Sequence, residues 1–217
     1  MSYLIYNGKR VIAQNKYVGK WSFEIPQQIY FTSGGSVDFA SVPVVTGIQT
    51  IKWDMLLDAS VASKIYVGFV DGVSNDYIYA NYDYLPSFEQ TSTGITYPVL
   101  RVQVKNSPGV YVRIYNIDSY IGVNTNIEIV KGTGSITSVK ANNNTLTTLY
   151  SGSVVYDTGG SFSYAGGNGG ASIWNLEIVG SHKWIGYPYG NTNAAWVDTI
   201  GSIDGTVTGS PGTRNVL

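Results

Sequence analysis

Apolar and polar residues alternate with a period of two along almost the whole chain, and no segment of useful length carries the repeat of an amphipathic helix. The clearest case is "GIQTIKWDMLLD" (47–58). There Gln49, Ile51, Trp53, Met55 and Leu57 make an apolar face, and Ile48, Thr50, Lys52, Asp54 and Leu56 make the opposite one. Such a pattern predicts a strand with one face in a core. Strand-like runs recur in "QIYFT", "SVDFASV", "KIYVGFVD", "YIYANYDY", "VLRVQVKN", "VYVRIYN", "YIGVN", "NIEIVKG", "SITSVKA", "TLTTLYSGSVVYD", "SFSYAGG" and "ASIWNLEIVG". Turn chemistry separates them: Ser33-Gly34-Gly35, "GVSND" (72–76), Ser107-Pro108-Gly109 and Asn142-Asn143-Asn144. Many short strands between such turns predict an antiparallel sandwich or barrel.

The two ends read differently. "YLIYNGKRVI" predicts a small hairpin turned at Asn7-Gly8, since Asn-Gly suits the type I′ turn that matches strand twist. "KYVGKWSFEIP" follows it, so residues 1–26 read as an arm or connecting segment. After Gly180 the chain becomes glycine-punctuated, with one helical turn in "TNAAWVD" that Thr192 or Asn191 is placed to cap. Residues 181–217 therefore read as an appendage that packs on the sandwich or docks on a neighbour. The central domain is 27–180.

Composition narrows the function classes. At 217 residues one domain is the natural division, and a chain of this length buries roughly 70% of its unfolded surface without disulfides or metal. It has no cysteine, which removes thiolate ligands and thiol nucleophiles. Charged residues make up 12% and the formal net charge is −1, with Lys and Arg scattered in no run longer than Lys9-Arg10. Nucleic-acid binding needs a basic patch, so it is not expected. No apolar run approaches a membrane span, and the start lacks the apolar core of a signal peptide. The expectation is a soluble chain without membrane insertion. The 26 glycines supply turns, and the 18 tyrosines suit half-wet sheet faces and contact surfaces.

The order of elements carries a resemblance. "YFTSGGSVDFASVPVVTGIQTIKWDMLL" (30–57), "NIEIVKGTGSITSVKANNNTLTTLYSG" (126–152) and "SFSYAGGNGGASIWNLEIVG" (161–180) resemble the opening strands, central hairpin and closing strands of a laminin-G-like, concanavalin A-like domain. The resemblance rests on order, spans roughly 28–180, and implies an all-β antiparallel jelly-roll sandwich with short N- and C-terminal appendages. Residues 3–18 and 184–217 resemble segments of tail and fibre proteins of bacteriophages that infect Bacteroidota. That implies a virion protein assembled in the host cytoplasm, a homo-oligomer contacting other virion proteins and host-surface or mucin glycans. A stand-alone bacterial carbohydrate-binding module is the alternative.

Some enzymes of the concanavalin fold use paired glutamates, but Glu24, Glu89, Glu128 and Glu177 lie far apart and in no E-x-D-x-E run. The sole histidine, His182, has no G-x-S-x-G serine and no second histidine, so it reads as a surface loop residue. A non-enzymatic chain without an obligatory cofactor is expected. The family's rim calcium would draw on Asp71, Asp76 and Asp83. Sugar recognition combines a flat aromatic face with amide or carboxylate groups. Two clusters offer this, for glycan or for a subunit interface: Tyr77, Tyr79, Asn81, Tyr82, Asp83 and Tyr84, with Asn75 nearby, and Trp184, Tyr187, Tyr189 and Asn191.

Overall fold

The computed structural model describes residues 3–6, 9–13, 23–31, 35–39, 48–58, 63–70, 77–83, 94, 98–106, 109–132, 135–153 and 164–216. The chain is an all-β protein of antiparallel sheets. Strands β1 (Tyr3–Tyr6), β2 (Lys9–Ala13) and β3 (Phe23–Glu24) form a small sheet of their own. Tyr6 pairs with Lys9, which leaves a two-residue connection, as the Asn-Gly signal predicts; Asn7 and Gly8 themselves lie outside the described residues.

The remaining strands are β4 (Gln27–Phe31), β5 (Gly35–Phe39), β6 (Gln49–Leu56), β7 (Lys64–Val70), β8 (Tyr77–Asp83), β9 (Val99–Asn106), β10 (Gly109–Asn116), β11 (Thr125–Gly132), β12 (Ser135–Ala141), β13 (Asn144–Thr145), β14 (Thr148–Ser153), β15 (Tyr164–Asn168), β16 (Ala171–Ile178), β17 (His182–Trp184), β18 (Gly205–Gly209) and β19 (Gly212–Asn215). They build two sheets. The meander sheet runs β14-β10-β9-β8-β7-β15-β5-β18, and the hairpin sheet runs β13-β12-β11-β6-β16-β4-β19, with β17 also paired to β16. One continuous core lies between them, drawing Val37, Phe39, Val67 and Val102 from the first sheet and Ile29, Phe31, Trp53 and Ile127 from the second. In β6 and the residue after it the burial alternates as the sequence predicts, with Ile51, Trp53, Met55 and Leu57 each at most 2% exposed.

The opposite face of the hairpin sheet is closed by charge instead of apolar surface. Register places Lys140, Glu128, Lys52, Glu177 and Lys183 in one row across five strands. Glu128 bridges Lys52 at 2.8 Å and Lys140 at 2.9 Å, and Glu177 bridges Lys183 at 3.2 Å. Hydrogen bonds from the two lysines hold the Glu128 carboxyl below its ordinary range. Each opposite-charge cross-strand pair adds a few tenths of a kcal/mol, and alternation of sign fixes the register.

The polar turn after β12 is scaffold. Asn142 and Asn143 have φ of 48° and 66°, and Ala141 pairs with Asn144, as a type I′ turn requires. Asn142 exchanges bonds with β11: its N–H donates to Asn126 O (2.8 Å) and its Oδ1 accepts from Asn126 N (2.8 Å).

Two local expectations are corrected. "YIGVN" is no strand: a 3-10 turn at Asp118–Tyr120 precedes Gly122, whose φ is 70°. Thr192 is the N-cap of the 3-10 turn Asn193–Trp196 but makes no side-chain cap; its hydroxyl donates to Tyr189 O at 2.8 Å instead. As for the C-terminal segment, it packs on the sandwich so closely that β18 and β19 are the last strands of the two sheets, while Trp184 and Trp196 are fully buried.

Candidate functional site

Strand β16 has two successive neighbours on one side: β4 along Ala171–Ile173 and β17 along Leu176–Ile178. Between them β16 bulges, its register against β6 shifting between Trp174 and Glu177, with Asn175 at φ 50°. An asparagine tolerates that conformation, and here its amide is held as well, donating to Asp54 Oδ2 at 2.5 Å while Asn126 Nδ2 donates to Asp54 Oδ1 at 2.7 Å. The loop 185–191 runs past the bulge, where β16 changes neighbour from β4 to β17.

This loop is pinned from several sides. Asn175 N donates to Ile185 O (2.8 Å), Gly186 N to Ala195 O (2.8 Å), Gln27 N to Pro188 O (2.6 Å) and Gly190 N to Gln27 O (2.9 Å). The buried Trp196 indole donates to Gly190 O at 2.7 Å. Gly190 passes so close to β4 that a Cβ there would stand 2.2 Å from Ile29 N, so no other residue fits. Beside the loop, Thr213 Oγ1 donates to Gln27 Oε1 (2.9 Å), Gln27 Nε2 to Asn215 Oδ1 (3.4 Å), and Val216 N to Pro26 O (2.8 Å).

Side chains on this fixed frame face water. Tyr189 is 43% exposed and Ile25 58% exposed, Asn191 is exposed, and Tyr187 is half-buried. The clamped loop thus exposes an aromatic ring at Tyr189 and a carboxamide at Asn191, both uncharged. Such a surface suits a pyranose, whose C–H face rests on an aromatic ring while its hydroxyls exchange hydrogen bonds with amides.

Trp184 does not belong to this surface, although the sequence groups it with Tyr187, Tyr189 and Asn191. It is fully buried in β17, packed 4.3 Å from the Phe39 ring, with its indole donating to Ile203 O at 2.7 Å. A tryptophan two places after the strand start points to the core because β17 continues the alternation of β16.

His182 is also corrected: it is 7% exposed, not a surface residue. Its Nδ1 donates to Asp198 Oδ2 at 2.6 Å, and its ring lies parallel to Trp184 at 5.4 Å. Asp198 accepts further bonds from the N–H groups of Lys183, Ile200, Gly201 and Ile203, at 2.9–3.2 Å. Burial on its own would raise its pKa, but the bonds from His182 and from those backbone groups outweigh it and hold the carboxyl well below the usual aspartate range. Among the described residues no hydroxyl bonds to His182. The pair therefore organises the turn 198–204, and its carboxylate is already saturated with donors.

Of the other predicted residues, Tyr77, Tyr79, Asn81, Tyr82 and Asp83 lie on β8, between β7 and β9. Only backbone is described there. Register aligns Tyr82 with Ile65 and Leu100, and Tyr79 with Gly68 and Gln103. Tyr84, Asn75, Asp71, Asp76 and Glu89 lie outside the described residues. Among the described residues no three His, Asp or Glu groups converge as a cation site. Gln27 and Asp198, which organise the two halves of the segment 181–217, carried no sequence signal, because their partners lie far along the chain or in an irregular turn. Compared with known proteins, the chain matches no family model and no curated sequence.

Proposed function

We propose that this chain is a non-enzymatic structural and adhesive component of a bacteriophage particle, a tail, fibre or capsid-decorating protein. Its sandwich is read as a laminin-G-like jelly roll that repeats in a homo-oligomer and contacts host-surface or mucin glycans through the loop Tyr187–Asn191. The clamped loop carries the adhesive part of this reading: four backbone bonds and the Trp196 indole fix it, while Tyr189 and Asn191 stay exposed. Rigid placement of an aromatic and its neighbouring amides lowers the ordering cost of binding a weak ligand such as a sugar. The virion part rests on the resemblance of the terminal segments.

The test is protein identification in purified particles. Recovery of the chain at a stoichiometry of several copies per particle supports the reading. A chain that binds glycans yet never co-purifies with particles contradicts it in favour of a stand-alone carbohydrate-binding module.

A further inference from the structure

We propose that the C-terminal strand pair β18–β19 is an exchange element, which in the assembled protein leaves its own sandwich and completes both sheets of a second copy of this chain. The topology is the first ground. Among the described residues β18 pairs only with β5 at one edge of the meander sheet, and β19 pairs only with β4 at one edge of the hairpin sheet. One short segment, 205–215, thus covers the edges of the first two strands of the sandwich at once. This inference does not depend on where the protein works or what it binds.

The second ground is how that segment is held. In β18 only Gly205 is buried, and in β19 no residue is. Apart from Val207, which packs partly buried against the core, its side-chain contacts are polar and specific. Thr208 Oγ1 donates to Asp38 Oδ2 (3.0 Å) and lies 2.6 Å from Ser36 Oγ; Thr213 bonds Gln27; the Arg214 guanidinium lies 3.9 Å over the Tyr30 ring and donates to Gly170 O at 2.7 Å. These strand contacts form equally well with β4, β5 and Gly170 of another copy, so exchange keeps them and gives up the connector's own bonds, from the Ile200, Gly201 and Ile203 N–H groups to Asp198 and from the Trp184 indole to Ile203 O, together with that of Val207 N to Asn193. They also select the partner, since only an identical chain offers Gln27, Tyr30, Ser36 and Asp38 in matching register.

The connector is the third ground. Thr199, Ile200, Gly201, Ser202 and Asp204 are exposed, and the turn is bent back by the N–H groups that Asp198 accepts. Upstream, His182, Trp196 and Asp198 are buried and stay with the sandwich. Straightened, the six residues 199–204 span about 20 Å, enough to carry the strands to an adjacent subunit.

The chain has no cysteine, so paired cysteines report the exchange directly. Gln27 and Asn215 are register partners across β4 and β19, and Asp38 and Thr206 across β5 and β18. The full chain carrying Gln27→Cys with Asn215→Cys is oxidised and run without reductant, alongside an equimolar co-refolded mixture of the two single variants. Exchange predicts covalent bands at twice the 23.5 kDa chain mass or higher multiples, and cross-linked heterodimer from the mixture. Should that pair perturb folding by circular dichroism, Asp38→Cys with Thr206→Cys asks the same question in the other sheet. Closure within single chains only, or a wild-type protein that light scattering finds monomeric at every concentration, overturns the proposal.

Discussion

At the scale of single residues, Asp198 carries the most structural consequence. Its side chain has no solvent exposure, and it accepts the His182 ring and four backbone N–H groups. Asp198→Asn is expected to cost about 3 kcal/mol in chemical denaturation at neutral pH, the scale for breaking a buried charged network. Because the folded carboxyl titrates below its unfolded value, the native state holds that proton more weakly. Its stabilisation is therefore complete above the ordinary aspartate value, about 3.9, and drains away as pH falls toward the lower folded value. The gap between wild type and Asp198→Asn should narrow on acidification across that window; a gap constant with pH would contradict the assignment. The turn after β12 makes a smaller prediction. Asn143→Gly should leave stability unchanged or slightly raised, while Asn142→Ala, which keeps a φ of 48° without the bond to Asn126, should lose about 1–2 kcal/mol. These cases also mark what sequence can and cannot show. The Asn-Asn turn is legible because backbone strain is local, whereas His182 and Asp198 stand 16 residues apart across an irregular turn and give no periodic sign.

At the scale of elements, strands with one wet face were legible and strands at seams were not. β6 places Trp53 in the core and Lys52 in the charge row as its alternation requires. β17, β18 and β19 are three to five residues long, and β18 and β19 are rich in glycine and threonine, so their alternation is too brief to separate from loop. What makes them strands is the edge they pair with. Trp184 shows the consequence: grouped by sequence with exposed tyrosines, it fills the core, so Trp184→Ala should cost about 3–5 kcal/mol and melt the fold before it reports on any ligand. The charge row behaves oppositely. Glu128→Gln breaks two bridges to half-exposed lysines and should cost under about 1 kcal/mol at low salt, less still at high salt. A large, salt-independent loss would mean that this face is covered in the native protein.

At the scale of the whole molecule, two eight-stranded sheets enclose one core, and the irregular segment 181–217 closes them along one edge. That segment also carries the exposed loop, so the part of the chain least readable as structure is where the adhesive surface is assigned. Tyr187, Tyr189 and Asn191 were legible as an aromatic-amide cluster, while Gln27, which clamps them, lies some 160 residues away and enters only through folding. The most direct test of the adhesive reading is a glycan-array and whole-cell binding measurement on the full chain. It should be run beside the double variant Tyr189→Ala with Asn191→Ala, which touches exposed side chains and should keep the wild-type melting temperature. The account predicts specific glycan or cell binding by the wild type that falls at least tenfold in the variant, the effect of about 1.4 kcal/mol of lost contact. Silence of the wild type on glycans and cells, or binding unchanged in a folded variant, would contradict it.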